Sequence, residues 1–195
     1  MRAPNPPVYF PLSGFLLFFS HTYNPPMPPH PASIPVEELL KHCTIAKGRS
    51  QGPGGQHRNK VSTHITITHK PTATTAQAGE RRSAAENEKV AISRLRHTLA
   101  LTIRHPVPTG DARSDLWKSR VQKNKIACSP KHIDYPAMLA EALDMLESTT
   151  HDPAKAALRL ECSSTQLLKL LAAHPPAFVL LNNNRSKHNL HPLKS

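Results

Sequence analysis

The sequence has few cysteines and few aromatic residues, and both shortages narrow the classes of protein to which it can belong. Only 3 of its 195 residues are cysteine, and aromatic residues make up 5%. Cys43, Cys128 and Cys162 lie far apart and form no Cys-x-x-Cys pair, so no disulfide framework is indicated. The 13 histidines do not alternate with cysteines or carboxylates at metal-ligand spacing, so we predict no metal site and no cofactor. Because the cysteine pattern indicates no disulfides, a reducing compartment is favoured, and we predict a cytoplasmic location.

The sequence also lacks an apolar run long enough to cross a bilayer. Its most apolar stretch, residues 8–19, is interrupted by a proline and a glycine and precedes a dense proline run, which prevents a helix. Arg2 is the one basic residue before residue 34, whereas a signal peptide or an organelle presequence needs a more basic start. We predict that residues 1–33 are a disordered leader outside any membrane. Met27 is a plausible alternative start, and a functional signal remains the other interpretation.

Acidic residues are scarce in the middle of the chain. The 25 basic residues outnumber the 13 acidic ones overall, and residues 41–104 contain 12 basic and 3 acidic side chains. Residues 105–131 contain 6 and 2, whereas residues 132–195 contain 6 of each sign. A concentrated positive field attracts polyanions, and phosphate backbones are the usual partner. The other interpretation is a solvated face that keeps the protein soluble.

Residues 34–104 predict a small α+β domain. A short helix over residues 35–41 and a strand over residues 44–47 precede a loop rich in glycine, serine and proline. Apolar and polar residues then alternate over residues 61–68, which predicts a strand with one buried face. A second strand at residues 74–78 follows a short turn, so the two strands should form an antiparallel hairpin. We expect a short, mostly antiparallel sheet.

A long helix should cover this sheet. Ser83 and Glu86 resemble a capping box at its start. Ile92, Leu95, Leu99 and Ile103 recur at a spacing of three or four residues and predict the buried stripe. The outward-facing side chains should then be those of Lys89, Arg94, Arg96 and His97.

The remaining chain divides into a linker and a helical region. Residues 105–133 are polar and basic and surround Trp117, so we predict a linker with a short helix. Residues 134–195 read as a C-terminal α-helical bundle. Asp152 and Ser163 are expected helix caps, and residues 152–171 form a helix-turn-helix-like pair. Because this pair is neutral overall, a plain bundle is favoured over a DNA-binding regulator, which stays an alternative.

One segment carries the chemistry: Arg49-Ser50-Gln51-Gly52-Pro53-Gly54-Gly55-Gln56-His57-Arg58-Asn59-Lys60-Val61. It resembles, nearly position for position, the GGQ loop of the class I peptide chain release factor family. Residues 68–72, residues 80–83 and Asn87 continue the resemblance in the family's order. One departure is Ala73, where relatives often carry glycine, and it affects the turn rather than the chemistry.

The resemblance implies hydrolysis of the ester of peptidyl-tRNA at the peptidyl transferase centre of the ribosome. Gly54, Gly55 and Gln56 would be catalytic, because glycines keep the backbone slim enough for a narrow RNA cavity. The Gln56 backbone N–H would stabilise the developing charge as an oxyanion hole does. RNA contacts are expected from Arg49, Ser50, His57, Arg58, Asn59, Lys60 and Arg82. The implied partners are large-subunit ribosomal RNA, peptidyl-tRNA and a methyltransferase acting on Gln56.

Two functions of different class remain open at this point. Residues 34–104 resemble the family's hydrolytic domain, and the short chain resembles its codon-independent members, which rescue stalled ribosomes. The alternative is a ribosome- or RNA-binding protein that uses the GGQ domain only for docking. An intact Gly54-Gly55-Gln56 triplet favours hydrolysis, since docking alone would not require it.

Overall fold

The computed structural model describes residues 29–49 and 62–194. The described part is α+β, with one three-stranded antiparallel sheet, one two-stranded hairpin and seven α-helices. In chain order the elements are α1 (Val36–Lys41), β1 (Cys43–Gly48), β2 (His64–His69), a 3-10 turn (Lys70–Thr72), β3 (Thr74–Ala78), α2 (Ala84–Thr102), α3 (Asp115–Arg120), β4 (Val121–Gln122), β5 (Lys125–Ile126), α4 (Tyr135–Ser148), α5 (Pro153–Arg159), α6 (Ser164–Ala172) and α7 (Pro175–Lys187).

The sheet has the order β1-β2-β3, with β2 in the centre. Ile65 and Ile67 are fully buried, whereas the residues that alternate with them along β2 are only partly covered. The predicted alternation is therefore confirmed over this strand. Ala76 and Ala78 extend the same buried face on β3. Each isoleucine contributes roughly 1.5–3 kcal/mol when removed from water. These side chains hold the sheet against α2.

The predicted hairpin is also confirmed, and its turn contains a residue in an unfavourable backbone conformation. Ala73 follows the 3-10 turn with a φ of 53°, in the left-handed region. A Cβ in that region contacts the neighbouring carbonyl, so glycine is the residue that fits without strain. Glycine at this position would remove that strain.

The buried stripe of α2 differs from the predicted one. Asn87, Ala91, Leu95 and Leu99 are buried at a spacing of four, whereas Ile92 is only partly buried. The predicted stripe also counted Ile103, which lies past the end of the helix. The cause is that α2 packs against two layers, β2 and β3 on one side and α4 on the other. A single stripe cannot describe a helix with two packed faces.

Two further predictions for α2 were wrong. Arg96 is buried, with 6% of its surface exposed, because its guanidinium donates to the backbone carbonyls of Ala32 and Ile133. Ser83 is the N-cap residue but forms no side-chain cap hydrogen bond. The acceptors of Arg96 come from segments remote in sequence, which helix periodicity does not reveal.

Residues 105–133 contain the predicted short helix, α3, and pack into the common core. Trp117 is fully buried, and its indole Nε1–H donates to the Leu160 carbonyl oxygen at 2.8 Å. The Ser114 side chain caps α3. Residues 29–33, placed in the leader by the sequence, form a turn in which Ala32 is fully buried. Residues 1–28 lie outside the described residues.

The C-terminal helices surround α4, whose residues are almost all buried. The predicted caps of α5 and α6 are confirmed: Asp152 accepts from Ala154 N and Lys155 N, and Ser163 accepts from Gln166 N. The Tyr135 hydroxyl donates to the Leu170 carbonyl at 2.6 Å, and burial raises the pKa of Tyr135 to about 12. The last helix, α7, begins at Pro175, because proline fits the first turn of a helix.

The three cysteines are free thiols. Within residues 29–49 and 62–194, no helix is long and apolar enough to cross a membrane. Over the same ranges, histidine, cysteine and carboxylate side chains do not gather in a group of three that could hold a metal ion.

Candidate functional site

The candidate site is the segment between β1 and β2, of which the structure describes the two ends. The predicted catalytic residues Gly54, Gly55 and Gln56 lie outside the described residues. The same holds for five predicted RNA contacts: Ser50, His57, Arg58, Asn59 and Lys60. What the structure shows is how the folded part holds the ends of this segment.

Both ends lie side by side at one end of the sheet. Gly48, the last residue of β1, pairs with His64, the first residue of β2. Residues 49 and 63 follow directly on either side of this pair. The antiparallel ladder between β1 and β2 therefore fixes where the segment leaves the domain and where it returns.

Asn87 holds the returning end. Its side chain is fully buried, and its Nδ2 donates to the Thr63 carbonyl at 2.6 Å and to the Arg81 carbonyl at 3.0 Å. Its Oδ1 accepts from the Arg81 backbone N–H at 2.8 Å. One amide thus joins the return strand, the chain before α2 and α2 itself. We call these contacts the Asn87 junction.

Sequence reasoning assigned no role to Asn87, although the pattern contained a sign of one. Asn87 stands four residues before Ala91 and eight before Leu95, on the buried row of the helix. Asparagine is a poor helix former that prefers to bond nearby backbone groups. A polar amide on a buried row requires internal partners, and the Asn87 junction supplies them.

A second set of contacts lies beside the junction, between β3 and α2. Arg94 donates from Nη2 to the Glu80 carboxylate at 2.7 Å and from Nη1 to the Gln77 carbonyl at 2.7 Å. The Glu80 carboxylate also accepts from Gly79 N, and hydrogen bonds from backbone N–H groups, then the charge of Arg94, lower its pKa. His64 Nε2 lies 3.2 Å from Gln77 Oε1. Because the ion pair between Arg94 and Glu80 is solvent-exposed, it positions the chain more than it stabilises the fold.

The two predicted RNA contacts that the structure describes lie at this end of the sheet. Arg49 follows β1 directly, and Arg82 follows Arg81, whose backbone belongs to the Asn87 junction. Both side chains are exposed, and neither forms an ion pair with another described residue. Their charges are thus available to a polyanion, and their role in RNA binding stays a prediction.

Comparison with known proteins gives the family. Residues 33–131 match the RF-1 domain. Peptide chain release factor 1 of Chlorobaculum tepidum is 28% identical over 149 residues, which is 71% of this chain and 41% of the relative. A mitochondrial peptide chain release factor-like protein of Saccharomyces cerevisiae is 36% identical over 77 residues, or 38% and 47% of the two chains.

Another relative is the mitochondrial peptide chain release factor 1 of Bos taurus, 32% identical over 71 residues, or 36% of this chain and 16% of the relative. The chain thus spans less than half the length of each of these three relatives. The match nonetheless covers half of this chain, and its limits enclose the sheet, α2 and the segment that carries the Gly-Gly-Gln triplet. Through this RF-1 domain, the chain belongs to the class I peptide chain release factor family.

Proposed function

We propose that this protein hydrolyses the ester bond of peptidyl-tRNA in the peptidyl transferase centre of the ribosome and so releases the nascent chain. Gly54, Gly55 and Gln56 would be its catalytic residues. The observation that carries the proposal is the Asn87 junction together with the Gly48–His64 pair, which hold both ends of the segment bearing this triplet. The RF-1 match and the exposed arginines at the same end of the sheet support it.

The chemistry suits a site built mostly by RNA. The scissile ester is already activated, and the protein needs to supply a donor for the developing oxyanion and a position for water. The backbone N–H of Gln56 can act as that donor, which is worth roughly 2.7–4 kcal/mol in comparable sites. Gly54 and Gly55 would let the backbone approach without side chains. Acid–base residues of the protein are not required in this scheme.

Ribosomal RNA and peptidyl-tRNA are the proposed partners, and the RNA contacts assigned from the sequence complete the site. Gln56 is proposed as the target of a methyltransferase. Two of the relatives above are mitochondrial by name, so the cytoplasmic location remains a prediction from the sequence.

We further propose that release needs no stop codon. Two of the helices that follow the matched region, α4 and α7, pack on α2, and residues 132–195 carry equal numbers of acidic and basic residues. A release assay that compares ribosomes with an empty decoding site and ribosomes with a stop codon tests this point. Equal release from both supports codon independence, and release confined to stop codons contradicts it.

The catalytic proposal is tested by Gly55→Ala. We expect peptide release to fall by about a hundredfold or more, because a methyl group enters the narrowest part of the site, while ribosome binding is kept. Gly48→Ala is the matched control, since a Cβ there meets nothing within 4 Å. Unchanged release by Gly55→Ala would exclude this mechanism, and absence of release by the wild type would leave a docking protein.

A further inference from the structure

A pocket of about 320 Å³ opens between α2 and residues 130–136. Its walls are apolar on one side, where Ile92, Ile133 and Pro136 line it. Ile133 stands out because 62% of its surface is exposed. Lys89, Lys131 and Arg96 line the pocket as well, together with two histidines, and no carboxylate does so. The pocket therefore combines an apolar wall with positive charge.

Arg96 is the residue that points to an anionic ligand. Only 6% of the surface of Arg96 is exposed, and burial lowers its pKa. Its described acceptors are backbone carbonyls: Nε and Nη2 donate to Ala32, and Nη1 donates to Ile133. One N–H on each terminal nitrogen has no acceptor in the described part of the chain.

Asp134 favours the charge of Arg96 through space and thereby opposes the lowering of its pKa by burial. Its carboxylate forms its ion pair with Arg120, at 2.5 Å, and not with Arg96. A buried charge without a bonded counter-ion is costly. An anion in the pocket would supply the missing counter-charge.

The two lysines at the rim of the pocket likewise have no acidic partner among the described residues. Lys89 and Lys131 are exposed, and neither forms an ion pair within residues 29–49 and 62–194. Lys89 lies on the second turn of α2, shortly after the Asn87 junction. Both lysines are thus available to an anion in the pocket.

We propose that this pocket binds one nucleotide of the ribosomal RNA on which the domain docks, with a phosphate between Lys89, Lys131 and Arg96 and the base against Ile92 and Ile133. The inference rests on the proposed function for the identity of the RNA. Charge complementarity selects a phosphate-bearing ligand, and the apolar wall suits the flat face of an unstacked base. An acidic peptide could also satisfy the charges, and the experiment below separates the two.

The first experiment measures binding of the full chain to purified ribosomes at several salt concentrations. The double variant Lys89→Gln/Lys131→Gln should bind roughly tenfold more weakly and lower the slope of log affinity against log salt by about 1–2. The control is Lys155→Gln/Lys169→Gln, which removes two exposed lysines from α5 and α6. Arg96 is left in place because it joins two segments of the fold. Equal binding by the double variant and the control would overturn the proposal.

The second experiment identifies what occupies the pocket. Ile133 is replaced by photoreactive benzoylphenylalanine, and ribosome complexes are irradiated. A crosslink to RNA supports the proposal, whereas a crosslink only to a ribosomal protein, or none, contradicts it.

Release assays at saturating ribosome concentration separate this inference from the catalytic one. If the wild type itself releases no peptide while the binding and crosslinking results hold, the pocket stands and the hydrolytic function fails.

Discussion

The arginines on the two sides of α2 differ in their partners. On the sheet side, Arg49, Arg81 and Arg82 are exposed and form no ion pair with a described residue, and Arg94 pairs only with the exposed Glu80. On the helical side, Arg104 pairs with Asp144 at 2.8 Å and Arg120 pairs with Asp134 at 2.5 Å. Cations that are already paired inside a fold stabilise packing, whereas unpaired exposed ones remain available to a partner. The unpaired arginines beside the catalytic segment are therefore available to a polyanion, whereas the pairs of Arg104 and Arg120 support the packing.

The largest effect on this comparison should come from Asn87→Ala. The change leaves the Thr63 carbonyl and both backbone groups of Arg81 without their partner, which costs about 1–3 kcal/mol. We expect the free energy of unfolding to fall by that amount in urea denaturation. Peptide release should fall further than stability alone explains, because the returning end of the catalytic segment loses its support.

Asn183→Ala is the control for that variant, since Asn183 is exposed on α7. If both variants lowered stability and release equally, the Asn87 junction would have no special role.

The next effect concerns the pH dependence of stability and the buried residue His30. Burial, opposed in part by the contact with the Ile103 carbonyl, lowers the pKa of His30 to about 4. Between about pH 6.5 and pH 4, His30 therefore binds a proton in the unfolded chain but not in the folded chain. Stability is complete above that window and is lost as pH falls through it.

The measurement compares unfolding free energies of wild type and His30→Gln at pH 7 and pH 5. We expect the wild type to lose about 2 kcal/mol more than the variant over this interval. His191→Gln, at an exposed position, should keep the wild-type dependence. An identical pH dependence for His30→Gln would show that His30 titrates normally.

A smaller effect tests the basic surface directly. Arg82→Gln should weaken ribosome binding a few-fold and reduce the salt slope by about 1, as loss of one phosphate contact predicts. Lys169→Gln removes the same charge from the helical side and should change neither quantity. A matching loss from Lys169→Gln would abolish the distinction between the two sides.

The smallest expected change is a gain. Ala73→Gly should raise the free energy of unfolding by about 0.5–1 kcal/mol, because glycine adopts a positive φ without strain. Ala46→Gly, at an exposed position of β1, should lower it by a similar amount. Thermal denaturation of the two variants compares them, and destabilisation by both would mean that Ala73 is not strained.

The sequence predicted the parts of the fold that depend on near neighbours. The alternation around Ile65 and the caps at Asp152 and Ser163 are local patterns. The burial of Arg96 was not predictable in this way, because its acceptors lie 64 and 37 residues away along the chain. The choice of stripe on α2 failed for the same reason, since α4 packs on it from a distant part of the sequence.

The candidate site divides in a similar manner. The catalytic triplet was recognised through its resemblance and lies outside the described residues, so its assignment remains a prediction. The residues that hold the ends of the catalytic segment were only partly predicted from the sequence. Asn87 belonged to the recognised pattern, but its role depends on Thr63, 24 residues away.

The hydrogen bond from Trp117 to Leu160 has a consequence for the modularity of this protein. The RF-1 match ends at residue 131, yet the donor lies inside the match and the acceptor lies beyond it. A fragment cut at the homology boundary would leave a buried indole N–H without its acceptor and would expose the side of α2 that α4 covers. The packed core therefore extends beyond the segment that the RF-1 match covers.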